Sequence, residues 1–111
     1  MTAQDIIDQA RRALQDSVTT YRWADSVMLN YINRGVQNIR KLRPETRLDS
    51  DADPVAYSVA TATTDTIIVD DNWLQALAYF VCARALEEDT DDMENLARSN
   101  RFDQLYMREI A

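Results

Sequence analysis

The chain has 111 residues, 46% of them hydrophobic and 28% charged, with a net charge of −7 and no histidine. That length supports one domain with one modest core, and the missing histidine removes the commonest general base and the commonest metal ligand together. A single glycine and two prolines leave too little turn material for a many-stranded fold, so the composition favours helices.

Charge is unevenly spread. Residues 1–47 hold eight basic against five acidic groups, and the remainder four against fourteen. This argues against a simple nucleic-acid binder, which carries a basic domain, and it fits head-to-tail contacts between identical copies as well as it fits solvated helix faces. Cys82 is the lone cysteine, so no intrachain disulfide forms and an oxidising compartment is not implied. The opening MTAQDIIDQARRAL has no apolar run of signal-peptide length. The most apolar window, Trp73 to Ala85, is too short to span a bilayer and is broken by Gln75 and Arg84. The expectation is a soluble protein made in a cytoplasm, with no membrane partner.

Taken in order, residues 3–16 form a first helix with Ile6, Ile7, Ala10, Ala13 and Leu14 on one stripe and Thr2 as its cap. A short irregular link, 17–22, leads to a second helix over 25–43, where Met28, Tyr31, Ile32, Gly35, Ile39 and Leu42 recur at helical spacing. Asp25 is expected to cap its first turn, and Pro44 to end it. Gly35 is the only glycine in the chain, and a glycine in a helix interior costs about 1 kcal/mol against alanine, so the position predicts a close crossing by another helix or a neighbouring subunit.

Between 44 and 71 the helical period disappears. Val55, Tyr57 and Val59 alternate with smaller residues, as do Ile67 and Val69, with Thr63, Thr64 and Asp65 between the runs. This predicts a β-hairpin pairing 55–61 with 65–70, marginal alone and completed by another chain. Tyr57, Val59, Ile67 and Val69, with Gly35, are therefore the candidate subunit interface. A third helix, 72–88, is apolar nearly all round and is expected to be the central core element, packing on the second. A fourth, 92–109, carries Met93, Leu96, Ala97, Leu105, Tyr106 and Ile110 as its apolar side. Tyr106, Met107 and Ile110 read either as spare apolar surface for a partner or as the plain end of a core helix. The predicted fold is mainly α, a single four-helix domain with a small β-hairpin insertion.

No reacting constellation emerges. Cys82 lies among Phe80, Val81, Ala83 and Ala85, where a thiol is a small hydrophobe, and the serines have no histidine partner. Asp49-Ser50-Asp51-Ala52-Asp53 resembles the opening of a calcium loop, but Pro54 stands where glycine must turn the chain and Ala60 where a bidentate glutamate belongs. It reads as a solvated acidic loop. No metal, cofactor or enzymatic activity is expected.

The second helix carries Tyr21-Arg22-Trp23-Ala24-Asp25, then Leu29, Tyr31-Ile32-Asn33, Gly35, Gln37, Ile39 and Leu42-Arg43-Pro44. The third carries Trp73, Ala76-Leu77, Tyr79-Phe80-Val81 and Arg84-Ala85, followed by acids. These two blocks resemble those of the head-tail adaptor, or connector, proteins of tailed bacteriophages over about residues 3–44 and 72–111. Ala24 stands where that family has a capping serine and Val27 where it has glutamate. The resemblance implies a structural virion protein at the head–tail junction. It implies a homo-oligomeric, dodecameric ring docked under the portal protein, offering a surface to the tail or next connector protein while DNA passes through without sequence-specific binding. Tyr106, Met107 and Ile110 are then the candidate portal or tail contact. An acidic channel wall suits that role because it does not hold the phosphate backbone. The alternative is a small helical nucleic-acid-binding regulator using Arg34, Arg40, Lys41, Arg43 and Arg47 as a patch.

Overall fold

The computed structural model describes residues 1–15, 23–49, 51–88 and 93–111. Among them are four helices, α1 (Ala3–Leu14), α2 (Asp25–Leu42), α3 (Leu74–Glu88) and α4 (Met93–Ile110), with single 3-10 turns at Pro44–Arg47 and Asp71–Trp73. The end of the predicted first helix and the 17–22 link fall largely outside the described residues. The third helix starts as a 3-10 turn before becoming α.

Helix α1 opens as its sequence directs. The Thr2 hydroxyl accepts from the Asp5 backbone N–H at 3.3 Å, and the Asp5 carboxylate accepts from the Thr2 N–H at 2.9 Å, which satisfies two orphan donors reciprocally. Helix α2 does not. Its cap position is Ala24, with no side-chain bond, and Asp25 already lies in the first turn, where it pairs with Arg11 of α1 at 2.8 Å. Arg11 also donates to the Trp23 carbonyl at 2.9 Å, so a largely buried guanidinium ties α1 to the entry of α2. A carboxylate at N1 meets the positive helix end without being the cap.

As predicted, α3 is the centre. It touches α1, α2 and α4, and buries Ala76, Leu77, Phe80, Val81, Cys82 and Leu86 among others. Its alanines let neighbours come close: the Ser99 hydroxyl of α4 donates to the Ala83 carbonyl at 2.8 Å, and the Cys82 thiol to the Ala10 carbonyl at 3.5 Å. That contact turns α4 away from the expected orientation. Asn95, Ser99, Tyr106 and Ile110 face inward, whereas Leu96 is 60% exposed. A hydroxyl that finds a carbonyl across a close helix pair is buried cheaply, and the larger Leu96 is displaced to the outside.

The predicted β-hairpin is not formed. Among the described residues there are only isolated bridges, Thr2 with Thr66 and Leu48 with Pro54. The two alternating runs are extended but find other partners. Residues 63–67 lie against the start of the chain, with Ile67 N–H to Met1 C=O at 3.0 Å, Ala3 N–H to Asp65 C=O at 3.0 Å and Gln4 N–H to Thr63 C=O at 2.8 Å. Residues 55–60 lie along α2. Alternation marks extended backbone, and the turn between the runs is spent elsewhere: the Asp65 carboxylate accepts from the N–H groups of Thr61 and Ala62 at 2.8 and 3.1 Å.

Candidate assembly surfaces

Of the expected interface residues, the structure buries three within the chain. Ile67 and Val69 belong to the core beneath α1 and α3, which removes them from any subunit contact. Gly35 faces α3: a Cβ placed on it would stand 2.9 Å from Cδ1 of Phe80 and 3.0 Å from Cδ2 of Leu77, so the close crossing predicted there is made by the chain's own helix and not by a neighbour.

Tyr57 and Val59 remain outside, 37% and 56% exposed. Two side chains of α2 hold their segment. The Asn33 amide clamps Ala60, donating to its carbonyl and accepting from its N–H, both at 2.9 Å. Arg40 donates to the Val55 carbonyl at 2.9 Å and stands 5.7 Å from the centre of the Tyr57 ring. Between these two anchors, the backbone N–H and C=O groups of residues 56–59 have no hydrogen-bond partner among the described residues. A cleft of about 220 Å³, bordered by Val36, Val59, Ala60, Ile67 and Ile68, separates this segment from 66–68. An unpaired extended edge with exposed β-branched and aromatic side chains is a template for another chain.

The three residues offered for portal or tail contact divide differently. Tyr106 and Ile110 are buried, at 3% and 5% exposure, while Met107 is 55% exposed. Tyr106 packs edge-on against Phe80 at 5.3 Å, and its hydroxyl, pushed up to about 12 by burial, donates to Asn38 at 2.5 Å. The Ile110 carbonyl accepts from Arg43 at 2.6 Å. Both residues close the core, as positions i and i+4 on the covered face of α4 must.

The basic patch of the alternative reading is mostly committed within the chain. Arg34 reaches Glu88 at 3.4 Å, Arg40 and Arg47 donate to the carbonyls of Val55 and Arg40 at 2.9 Å, and Arg43 pairs with Glu45 at 2.5 Å. Lys41 is exposed and without an ion pair among the described residues. Cationic groups already bonded to carbonyls and carboxylates have little left for phosphates.

For chemistry the residues offer little. The Cys82 thiol is fully buried, and that burial pushes its pKa up to about 12, the reverse of an activated nucleophile. The Tyr31 hydroxyl is likewise pushed up by burial and donates to Glu88. Asp49, Asp51 and Asp53 do bring carboxylate oxygens within 4.8 Å of one another, all exposed, with Asp49 accepting from the N–H groups of Asp51 and Asp53 at 2.9 Å. Those bonds make the loop its own stable turn. No described helix is long and apolar enough to cross a membrane. Comparison of the chain with models of known families, with curated proteins and with solved structures finds no match.

Proposed function

We propose that the chain is a structural subunit of the head–tail junction of a tailed bacteriophage, a ring-forming adaptor that docks under the portal and carries the tail's attachment surface around the DNA exit. One observation carries the reading. Gly35, Leu77 and Phe80, residues on which the resemblance to that family rests, are the same residues that close the α2–α3 crossing, so the likeness falls on what sets the fold rather than on incidental surface. The unpaired backbone of 56–59 supports it, because such an edge is characteristic of a protein that is completed by a neighbour. So does the net charge of −7, which suits a wall past which DNA must slide.

In this role no bond is made or broken. The subunit supplies shape, a repeated contact and a negative lining. Mass spectrometry of purified infectious particles tests the proposal: the polypeptide is expected in a fixed small copy number per particle, and its absence from mature particles overturns the reading. Imaging of the purified protein mixed with portal is expected to show added density at the portal's tail-facing end.

A further inference from the structure

The folded chain spends its charges unevenly. Arg11, Arg34, Arg43 and Arg84 are all taken by carboxylates of the same chain. Arg98, Arg101 and Arg108, all exposed on α4, form no ion pair among the described residues. Ala97, Arg101, Gln104 and Arg108 run down the middle of the outward face of α4, at helical spacing, with Leu96 and Met107 beside them. From Ala97 to Arg108 that face is basic, and two of the most exposed large apolar side chains in the chain stand at its edge; two exposed acids bound it, Glu94 one turn before Ala97 and Glu109 on its flank.

Its complement lies beside the C-terminal end of α4. A cleft of about 450 Å³ has Leu48, Val55, Ile68 and Trp73 as its apolar floor. Asp49 and Asp70 stand on its rim, both exposed and neither in an ion pair among the described residues. Arg43 also borders it, but that guanidinium is held by Glu45 and the Ile110 carbonyl. Ile110 is the point where α4 meets the cleft's edge. Arg101 and Leu96 precede it by nine and fourteen residues, or about 14 and 21 Å along the helix axis, so they do not reach the cleft of their own chain.

We propose that the outward face of α4 in one copy docks on the acid-rimmed Leu48–Trp73 cleft of the next. The contact joins two different surfaces, so it is head-to-tail, and repetition closes a ring or extends a filament. Leu96 and Met107 lose water against Leu48 and Trp73, while Arg101 and Arg108 meet Asp49 and Asp70. The inference rests on the reading of the chain as a ring subunit, and it replaces the charge split between sequence halves with two defined surfaces.

Reciprocal charge exchange tests it by sedimentation velocity and native mass spectrometry at millimolar concentration and low salt. The wild-type chain is expected to associate, and to fall back to its 12.8 kDa monomer as salt is raised. The Arg101→Glu/Arg108→Glu variant and the variant that carries Asp70→Lys together with Asn72→Lys, Asn72 lining the same cleft, are each expected to stay monomeric. Mixed in equal amounts they are expected to reassemble in alternation, because each then offers what the other has lost, a rescue that misfolded protein cannot give. A monomeric wild type, a variant that associates like wild type, or a mixture that stays monomeric overturns the inference. If the rescue is seen and the polypeptide is absent from phage particles, the interface stands and the adaptor reading falls.

Discussion

Gly35 lies against the ring of Phe80 so closely that a single added methyl group would come within 2.9 Å of it. The ring is flanked by Tyr106, which meets it edge-on at 5.3 Å, and by the Arg84 guanidinium, 5.1 Å from its centre. Arg84 is in turn fixed by Asp103 at 2.7 Å. One small residue on α2 thus sets the distance at which α2, α3 and α4 pack together.

Gly35→Ala is therefore expected to destabilise the protein, against the usual trend. Alanine gains about 1 kcal/mol of helix propensity, but overpacking a hemmed ring costs about 1–3 kcal/mol. Urea denaturation should show a net loss. Phe80→Leu in the Gly35→Ala background should recover part of it by making room, and a Gly35→Ala protein more stable than wild type would refute the packing argument.

The Asp65 turn predicts a pH dependence. Backbone N–H groups of Thr61 and Ala62 hold the Asp65 carboxyl below its ordinary value of 3.8. A carboxyl depressed in the folded state stabilises fully above its unfolded value, and that contribution disappears as pH falls through the folded one. Melting temperature should decline below about pH 4, and the decline should be shallower in Asp65→Asn, whose side chain does not titrate. Parallel wild-type and variant curves would exclude the turn as a source of acid sensitivity.

The Asn33 clamp separates the exposed segment from the core. Asn33→Ala removes both bonds to Ala60, leaving a half-buried N–H and C=O without their partners, at a cost of about 1–3 kcal/mol. Hydrogen exchange should accelerate at Ala60 and its neighbours while α3 amides keep their protection. Equal acceleration throughout would mean that the segment unfolds only with the whole domain.

What could be read in advance follows from where each determinant lies in the chain. The Thr2 cap, the stop at Pro44 and the all-round apolar character of α3 are local, and each took its expected place. The 55–70 region was legible as extended backbone but not as to its partner. The bonds that decide it come from Met1, Ala3, Gln4 and Asn33, dozens of residues away, and no alternation pattern encodes them. The rotation of α4 was hidden because its inward face includes Asn95 and Ser99, which hydropathy assigns to solvent. Only the Ala83 carbonyl, waiting opposite Ser99, reverses that assignment. The same rotation exposed Leu96, which made the basic outward face of α4 visible only in three dimensions.

Burial of Tyr106 and Ile110 also changes what a mutation at the end of α4 reports. Removing residues 106–111 takes away the edge of Phe80's cage and the carbonyl that Arg43 holds, so the truncated chain is expected to lose several kcal/mol, in line with the deletion of large core side chains. Loss of particle assembly in such a mutant would then report misfolding. Met107→Glu separates the two effects. Met107 is 55% exposed and lies outside the core cluster, so the variant should melt within a degree or two of wild type. Yet it places an acid at the edge of the face that meets an acidic rim, next to Arg108, and should weaken association of copies at low salt. A Met107→Glu protein that folds and assembles as wild type does would remove Met107 from the contact, and one that fails to fold would show that α4 is covered on this side as well.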